Sequence, residues 1–254
     1  MFFVDTHAHL DFEYEENVTS EKIVKEAEEN LVTKIITISS DVPSIKKSFD
    51  IASKFPNVYH SMGVHPHEAK DFSQAVENDI KKLNGPKCVA IGEIGLDFFY
   101  DHSPKDVQKD IFVKQIELAH KLKLPLIMHV RDADKEAYDI LKTELKEIKA
   151  VLHCYSGTKE QLKKYLDLGM FISFTGIITF PKAAIAQEAA TYTPNDRIML
   201  ETDSPFLTPV PFRGQKNYPK HIPIIAQKLA DLKKESIEKV AEYTSKNAHA
   251  LFGI

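Results

Sequence analysis

Eight short apolar runs recur along the chain, and a longer stretch of helical character separates each from the next. They are FFVD (2–5), KIITIS (34–39), VYHSMGV (58–64), KCVAIGE (87–93), PLIMHV (125–130), KAVLHC (149–154), MFISF (170–174) and RIMLET (197–202). Runs without polar alternation suit strands covered on both faces, the situation of a parallel sheet under helices. Helical patterns fall near 20–31, 43–55, 72–83, 104–122, 133–146, 158–167 and 182–188, with two more at 220–231 and 235–245. Eight such units in 254 residues predict an α/β protein with a single (β/α)8 or TIM barrel, spanning 1–254 as one domain. The competing architecture is an open doubly wound sheet, which would gather only a few strand ends at its crevice.

Local signals agree with the helical stretches. Asp41 with Pro43, Ser103 with Pro104, and Gly157-Thr158 each precede one, with Ser103 expected as a cap and Pro104 in the first turn. Gly169 fits the turn that ends another. No internal repeat of fixed period and no low-complexity linker divides the chain.

Composition narrows the class of function. The net charge of −4 and the absence of a Lys/Arg-rich tail argue against non-specific nucleic-acid binding. They leave room for a nucleic-acid substrate, because bound cations would change the local field. No run of apolar residues is long enough for a membrane span, and the N-terminus lacks the basic start of a signal peptide. The two cysteines, Cys88 and Cys154, lie far apart in apolar runs and are expected as free thiols. A reduced, cytoplasmic protein is expected, working as a monomer with no obligate protein partner and no membrane.

The ionisable residues collect at the C-terminal ends of the strands. The first strand leads into Asp5, His7 and His9, the third into His65 and His67, and the fourth into Glu93 and Asp97. The fifth ends at His129 and Arg131, the sixth at His153, and the eighth at Glu201 and Asp203. In a barrel all these ends meet on one rim. His60, His102, His120, His221 and His249 show the background, lying inside a strand, in loops, in helices or near the chain end. The set His7, His9, Glu93, His129, His153 and Asp203 differs because each member closes an apolar strand, where a buried polar group needs a partner. Six protein ligands exceed the four of one tetrahedral ion. Two divalent ions bridged by Glu93 accommodate them: one with His7, His9 and Asp203, the other with His129 and His153. Asp5 is a carboxylate that fixes a neighbouring histidine tautomer, a structural hydrogen-bond acceptor, or a turn residue at the strand end.

The pieces DTHAHLD (5–11), GVHP (63–66), GEIGLDFFY (92–100), HVRDA (129–133), HCYSG (153–157), ETDSPFLTP (201–209) and NAHALFG (247–253) together resemble the TatD family of metal-dependent deoxyribonucleases, within the amidohydrolase-like metal barrels. The motifs span nearly the whole chain in the family's order. The resemblance implies a metal-dependent hydrolase barrel in which His7, His9, Glu93, His129, His153 and Asp203 match the family's metal ligands. It implies that Asp203 also handles the proton of the attacking water. It further implies hydrolysis of DNA phosphodiesters, often exonucleolytic from the 3' end, with magnesium, manganese or zinc. Two positions depart from the family pattern: Tyr218 stands where a glutamate is common in RGQKNYPKH (213–221), and Phe98 stands where tyrosine is common.

Further residues fall near the same rim. Arg131 can grip two phosphate oxygens, or pair with Asp132 or Asp134. His65 can contact phosphate or a leaving oxygen, or structure its loop beside Pro66. Arg213, Lys216 and Lys220, with Tyr218 interleaved, can meet backbone phosphate and stack a base, or form an ordinary solvated face. Ser156-Gly157 precedes a helix start and can offer N–H groups to an anion. Phe98, Phe99 and Tyr100 wall the cleft or pack a loop on the barrel top. Catalysis is thus assigned to Asp203, Glu93, His65 and Arg131, and substrate binding to His65, Arg131, Ser156, Arg213, Lys216 and Tyr218. Two rival functions remain: a small-molecule hydrolase of amides, lactones or phosphoesters, and a non-catalytic metal-stabilised nucleic-acid-binding protein.

Overall fold

The computed structural model describes residues 1–100 and 102–254. Its strands are β1 (Phe3–Ala8), β2 (Val32–Thr37), β3 (Val58–Met62), β4 (Cys88–Asp97), β5 (Leu126–Arg131), β6 (Ala150–Leu152), β7 (Phe171–Phe174) and β8 (Ile198–Leu200). Every neighbouring pair is parallel, and the order around the sheet is the order in the chain. The last seam is made just beyond β8, where Asp203 N–H donates to the His7 carbonyl and His9 N–H to the Ser204 carbonyl, both at 2.8 Å. That sequential order with its closing seam is a barrel, and it excludes the doubly wound sheet.

The helices are α1 (Ser20–Glu29), α2 (Val42–Lys54), α3 (Gln74–Leu83), α4 (Lys105–Leu122), α5 (Asp134–Glu144), α6 (Lys159–Asp167), α7 (Ala184–Tyr192), α8 (Ile222–Lys233) and α9 (Ile237–Phe252). Short 3-10 turns at Pro66–Asp71, Gly176–Thr179 and Pro219–His221 decorate the rim. Asp41 caps α2 as expected, accepting from Ser44 N–H at 2.7 Å while the Ser44 hydroxyl reaches back to the cap. Thr158 and Gln161 form the equivalent box on α6. Each such cap is worth about 1 kcal/mol. Ser103 behaves differently from expectation. Its hydroxyl donates to the His67 carbonyl at 2.6 Å and accepts from Lys70 N–H, so it ties the rim turn to the start of α4 instead of capping it. Among the described residues no helix is long and apolar enough to cross a membrane.

Hydrophobic burial has two layers. One lies between strands and helices and takes in the inner faces of α1 to α9. The other fills the barrel interior at its N-terminal end with Val4, Ile36, Val89, Ile127, Val151, Phe171 and Met199, while Ala248, Leu251 and Phe252 of α9 plug it from below. On β5 and β6 the residue two positions further on is His129 and His153, so the inward face changes from hydrocarbon to imidazole within one pleat. Gly95 lets β4 and β5 approach at this level. Its φ is +143°, and a Cβ there would stand 1.9 Å from the His129 carbonyl oxygen.

Candidate metal centre

The mouth of the barrel is organised by Glu93. Its carboxylate is 3% exposed and has a different set of neighbours at each oxygen. Oε2 lies 3.4 Å from His7 Nε2 and 4.0 Å from His9 Nε2. Oε1 lies 2.8 Å from His153 Nε2 and 2.9 Å from His129 Nδ1. Burial would push this carboxyl up, but the charge on His153 and the hydrogen bonds from His129 and His153 outweigh it and hold Glu93 well below the usual carboxylate range. Asp203 stands on the His7–His9 side, with Oδ1 3.5 Å from Nε2 of both rings. Burial opposes its ionisation too, and the His9 hydrogen bond with the His7 and His153 charges prevails, so its carboxyl is also lowered.

The strand ends reach these positions by two local devices. A register shift in β1 between Asp5 and Ala8 lets His7 and His9, two residues apart, bring their Nε2 atoms to 3.3 Å. Asp5 serves as a structural acceptor: Thr202 donates to it through N–H (3.0 Å) and Oγ1–H (2.6 Å), and His7 through its backbone N–H (3.2 Å). Complete burial pushes the Asp5 carboxyl up to about 8 despite those hydrogen bonds. Asp5 therefore pins β1 to the segment after β8 and fixes no histidine ring, since among the described residues His7 Nδ1 has no hydrogen-bond partner.

Three residues gathered at strand ends but left without a role in the sequence carry the outer layer. Asp97 closes β4, and its Oδ2 lies 3.1 Å from His129 Nε2 and 2.8 Å from His67 Nε2. With Nε2–H directed at Asp97, His129 turns Nδ1 to the centre, where it donates to Glu93 while the ring is protonated and would offer a lone pair to a cation once it is neutral. Glu201 accepts from Cys154 N–H and from the Ser173 hydroxyl, both at 2.6 Å, and its Oε1 is 3.3 Å from His153 Nδ1. His67 N–H donates to His65 Nδ1 at 3.1 Å. The neutral His65 ring therefore carries its proton on Nε2, which points toward Glu93 Oε1 at 3.6 Å. The signal in the sequence was the Glu93–Asp97 pair on one strand, which shows only once β4 is known to continue past Glu93.

Left to itself, this cluster has no good hydrogen-bond solution. Ring nitrogens meet ring nitrogens at 3.3 Å (His7–His9) and 3.2 Å (His129–His153). Buried Nδ1 atoms of His7 and His9 find no partner among the described residues, and His153 Nδ1 has only Glu201 Oε1 near it, at 3.3 Å. Single ligand atoms of His7, His9 and Glu93, of His7, His153 and Asp203, and of His65, Glu93 and His129 each lie within 4.8 Å of one another. Converging imidazole and carboxylate donors without a thiolate fit divalent cations of the zinc, manganese or magnesium kind.

A cleft of about 700 Å³ opens above the cluster, and His65, Arg131 and Ser156 line it. Arg131 lays its guanidinium over the rings of Phe99 (4.0 Å) and Tyr100 (4.9 Å). Ser156 lies ahead of the α6 cap, outside the first helical turn. Among the described residues, Arg213, Lys216 and Tyr218 do not line this cleft. Buried Asn217 turns their loop inward, donating to the Thr202 carbonyl at 2.8 Å and accepting from Tyr218 N–H and His221 Nδ1. Tyr218 then packs on Tyr14, Lys220 pairs with Glu26, and Arg213 covers Phe180. Phe98 is drawn beneath Lys105 and Lys109 and does not wall the cleft. Cys154 does line it, because a φ of +50° breaks the alternation that would turn it away. Burial, then the charges of Asp203 and Glu201, push its thiol well above the ordinary range.

A sequential parallel barrel with such a mouth is the architecture of metal-dependent hydrolases. Comparison with known proteins narrows this further. The family model described as TatD related DNase matches residues 4–253. A metal-dependent hydrolase of Bacillus subtilis, YabD, is 38% identical over 98% of both chains. The 3'-5' ssDNA/RNA exonuclease TatD of a Rahnella species is 37% identical over 76% of both. The crystal structure of YJJV, a TatD homolog from Escherichia coli, superposes with a TM-score of 0.92 at 28% identity, covering 99% of this chain and 98% of that one. The chain belongs to the TatD-related DNase family of metal-dependent hydrolases.

Proposed function

We propose that the chain is a 3'-5' exodeoxyribonuclease that cleaves DNA phosphodiesters with two divalent cations, of magnesium, manganese or zinc. The observation that carries this reading is the division of Glu93 between two groups of imidazoles. One cation would be held by His7, His9, Glu93 and Asp203, the other by Glu93, His129 and His153. When bound, such cations supply charge to the phosphoryl oxygens and lower the pKa of water.

The residues of the chain supply the rest. Asp203 accepts the proton of the attacking water. Because its carboxyl is held low, it is a modest base that works by position more than by strength. His65 donates its Nε2–H to a phosphate oxygen. Arg131, pre-oriented by its aromatic stack, offers a planar fork to a second oxygen. The 3' end as the starting point is supported by the similarity to the Rahnella 3'-5' ssDNA/RNA exonuclease TatD.

End-labelled single- and double-stranded oligonucleotides test the proposal. Shortening from the 3' end should require added metal, stop with EDTA, and disappear in Glu93→Ala and Asp203→Ala. Robust turnover of a lactone or amide with intact DNA would replace this reading with the small-molecule hydrolase.

A further inference from the structure

Among His7, His9, Glu93, His129, His153 and Asp203, only Asp203 has a positive φ, +54°. Beyond β5 and β6 the left-handed residue follows the working side chain: Asp132 comes after Arg131, and Cys154 after His153. Beyond β8 the working residue is itself left-handed. A Cβ makes that conformation sterically costly, and it persists where the surroundings over-determine the backbone. Here every backbone polar group of residues 202–204 is engaged. Thr202 N–H donates to Asp5 Oδ1 at 3.0 Å, and the Thr202 carbonyl accepts from Asn217 Nδ2 at 2.8 Å. Asp203 N–H donates to the His7 carbonyl at 2.8 Å, and the Asp203 carbonyl accepts from Phe206 N–H at 2.9 Å. Ser204 N–H donates to Thr202 Oγ1 at 3.2 Å, and the Ser204 carbonyl accepts from His9 N–H at 2.8 Å.

Two side chains close this frame around Asp203. The Thr202 hydroxyl donates to Asp5 Oδ2 at 2.6 Å while accepting from Ser204 N–H, so it spans the left-handed residue from one neighbour to the other. The Tyr14 hydroxyl, on a residue only 4% exposed, meets Ser204 Oγ at 3.0 Å and holds the second neighbour. Asp5 and Tyr14 both come from the segment that carries His7 and His9. Rotation in φ carries Cβ about the N–Cα bond. A return of Asp203 to negative φ would therefore swing its carboxylate away from the Nε2 atoms of His7 and His9, which Oδ1 now faces at 3.5 Å. We propose that Thr202 and Tyr14 are positioning residues that lock the Asp203 backbone left-handed and so aim its carboxylate into the metal centre. This rests on the reading above in which Asp203 accepts the proton of the attacking water, and deepens it by naming the groups that aim it.

Three variants test this. Thr202→Val keeps the shape of the side chain and removes its hydroxyl, Thr202→Ser keeps the hydroxyl, and Tyr14→Phe removes a hydroxyl and keeps the ring. Crystal structures of the metal-free variants read the backbone directly. In Thr202→Val the φ of residue 203 should leave the left-handed region and the carboxylate should withdraw from His7 and His9; in Thr202→Ser both should stay. On a labelled strand at saturating metal, Thr202→Val should lower kcat by about 10- to 100-fold and change KM by less than about 2-fold. Thr202→Ser should recover kcat to within about 3-fold, and Tyr14→Phe should lose about 3- to 10-fold. Chelator competition separates positioning from a general structural role. Thr202→Val should weaken metal binding in the wild-type background, yet add less than about 2-fold to the loss in Asp203→Ala, where no carboxylate remains to misplace. Should Thr202→Val not fold, Tyr14→Phe carries the same measurements. Equal losses in both backgrounds, or a left-handed residue 203 with unchanged kcat in Thr202→Val, would overturn the positioning role while leaving the nuclease standing. Withdrawal of the carboxylate in the variant structures, with no cleavage of DNA by the wild type, would uphold the positioning role and sink the nuclease reading alone.

Discussion

The two ends of the barrel interior are built by the same strands and differ in what those strands leave unsatisfied. At the floor, Val4, Ile36, Val89, Ile127, Val151, Phe171 and Met199 close against Ala248, Leu251 and Phe252, and hydrocarbon meets hydrocarbon. At the mouth, residues a pleat or so further along bring imidazoles face to face, with ring nitrogens meeting at 3.3 Å (His7–His9) and 3.2 Å (His129–His153) around one carboxylate. The floor is where folding free energy is gained, and the mouth is where some of it is withheld for binding. A site that satisfied itself would have no affinity left for a cation.

Substitutions at each end should separate these roles. Glu93→Ala removes the group shared by both halves of the mouth. It should lower hydrolysis by on the order of 10⁴-fold, about 5 kcal/mol in barrier, and reduce bound metal measured by elemental analysis. The melting temperature of the metal-free protein should move by only a few degrees. A large drop there would mean that the mouth also carries the fold. Phe171→Ala makes the opposite cut: about 3–4 kcal/mol of stability lost in urea titration, with activity per folded molecule unchanged.

His60 gives the contrast in a third form, as a buried histidine with no carboxylate beside it among the described residues. It packs against Phe49, and burial lowers it to about 4. Its folded pKa lies below the unfolded value of 6.5, so the unfolded chain binds the extra proton as pH falls from 6.5 to 4. Stability should therefore fall across that window, by about 2–3 kcal/mol at pH 4.5 relative to pH 7 from this group. Comparing urea midpoints of the wild type and His60→Gln isolates the effect, and parallel pH profiles would refute it. The smallest change is expected for Asp97→Asn, which frees the His129 tautomer. Metal affinity, read by chelator competition, should weaken about 10- to 100-fold. No weakening would mean that something else orients His129.

The architecture was legible because all eight strands are apolar runs and the helices between them are punctuated by caps. The strand ends were not. FFVD was expected to end at Asp5 and KCVAIGE at Glu93, yet β1 runs to Ala8 and β4 to Asp97. A hydrophobic run stops being visible where polar residues begin, and in this barrel the polar residues stay buried by facing one another. The convergence of His7, His9, Glu93, His129, His153 and Asp203 followed from strand ends alone. The Asp97 and Glu201 contacts depend on which nitrogen of each ring turns outward, which spacing does not encode. The turning away of Tyr218 depends on one buried side chain, Asn217, whose importance lies in contacts with Thr202 and His221 rather than in its immediate neighbours.

The seam between β1 and the segment after β8 has a consequence in time. Asp203 N–H and His7 O, with His9 N–H and Ser204 O, are the stitches that shut the cylinder. His7, His9 and Asp203 among these residues also supply side chains to the cluster at the mouth, so closing the cylinder and gathering those side chains are a single event. During synthesis the first two histidines leave the ribosome long before their carboxylate partner exists. A growing or prematurely ended chain is thus kept from assembling that half, and hydrolytic power arrives only with the finished ring.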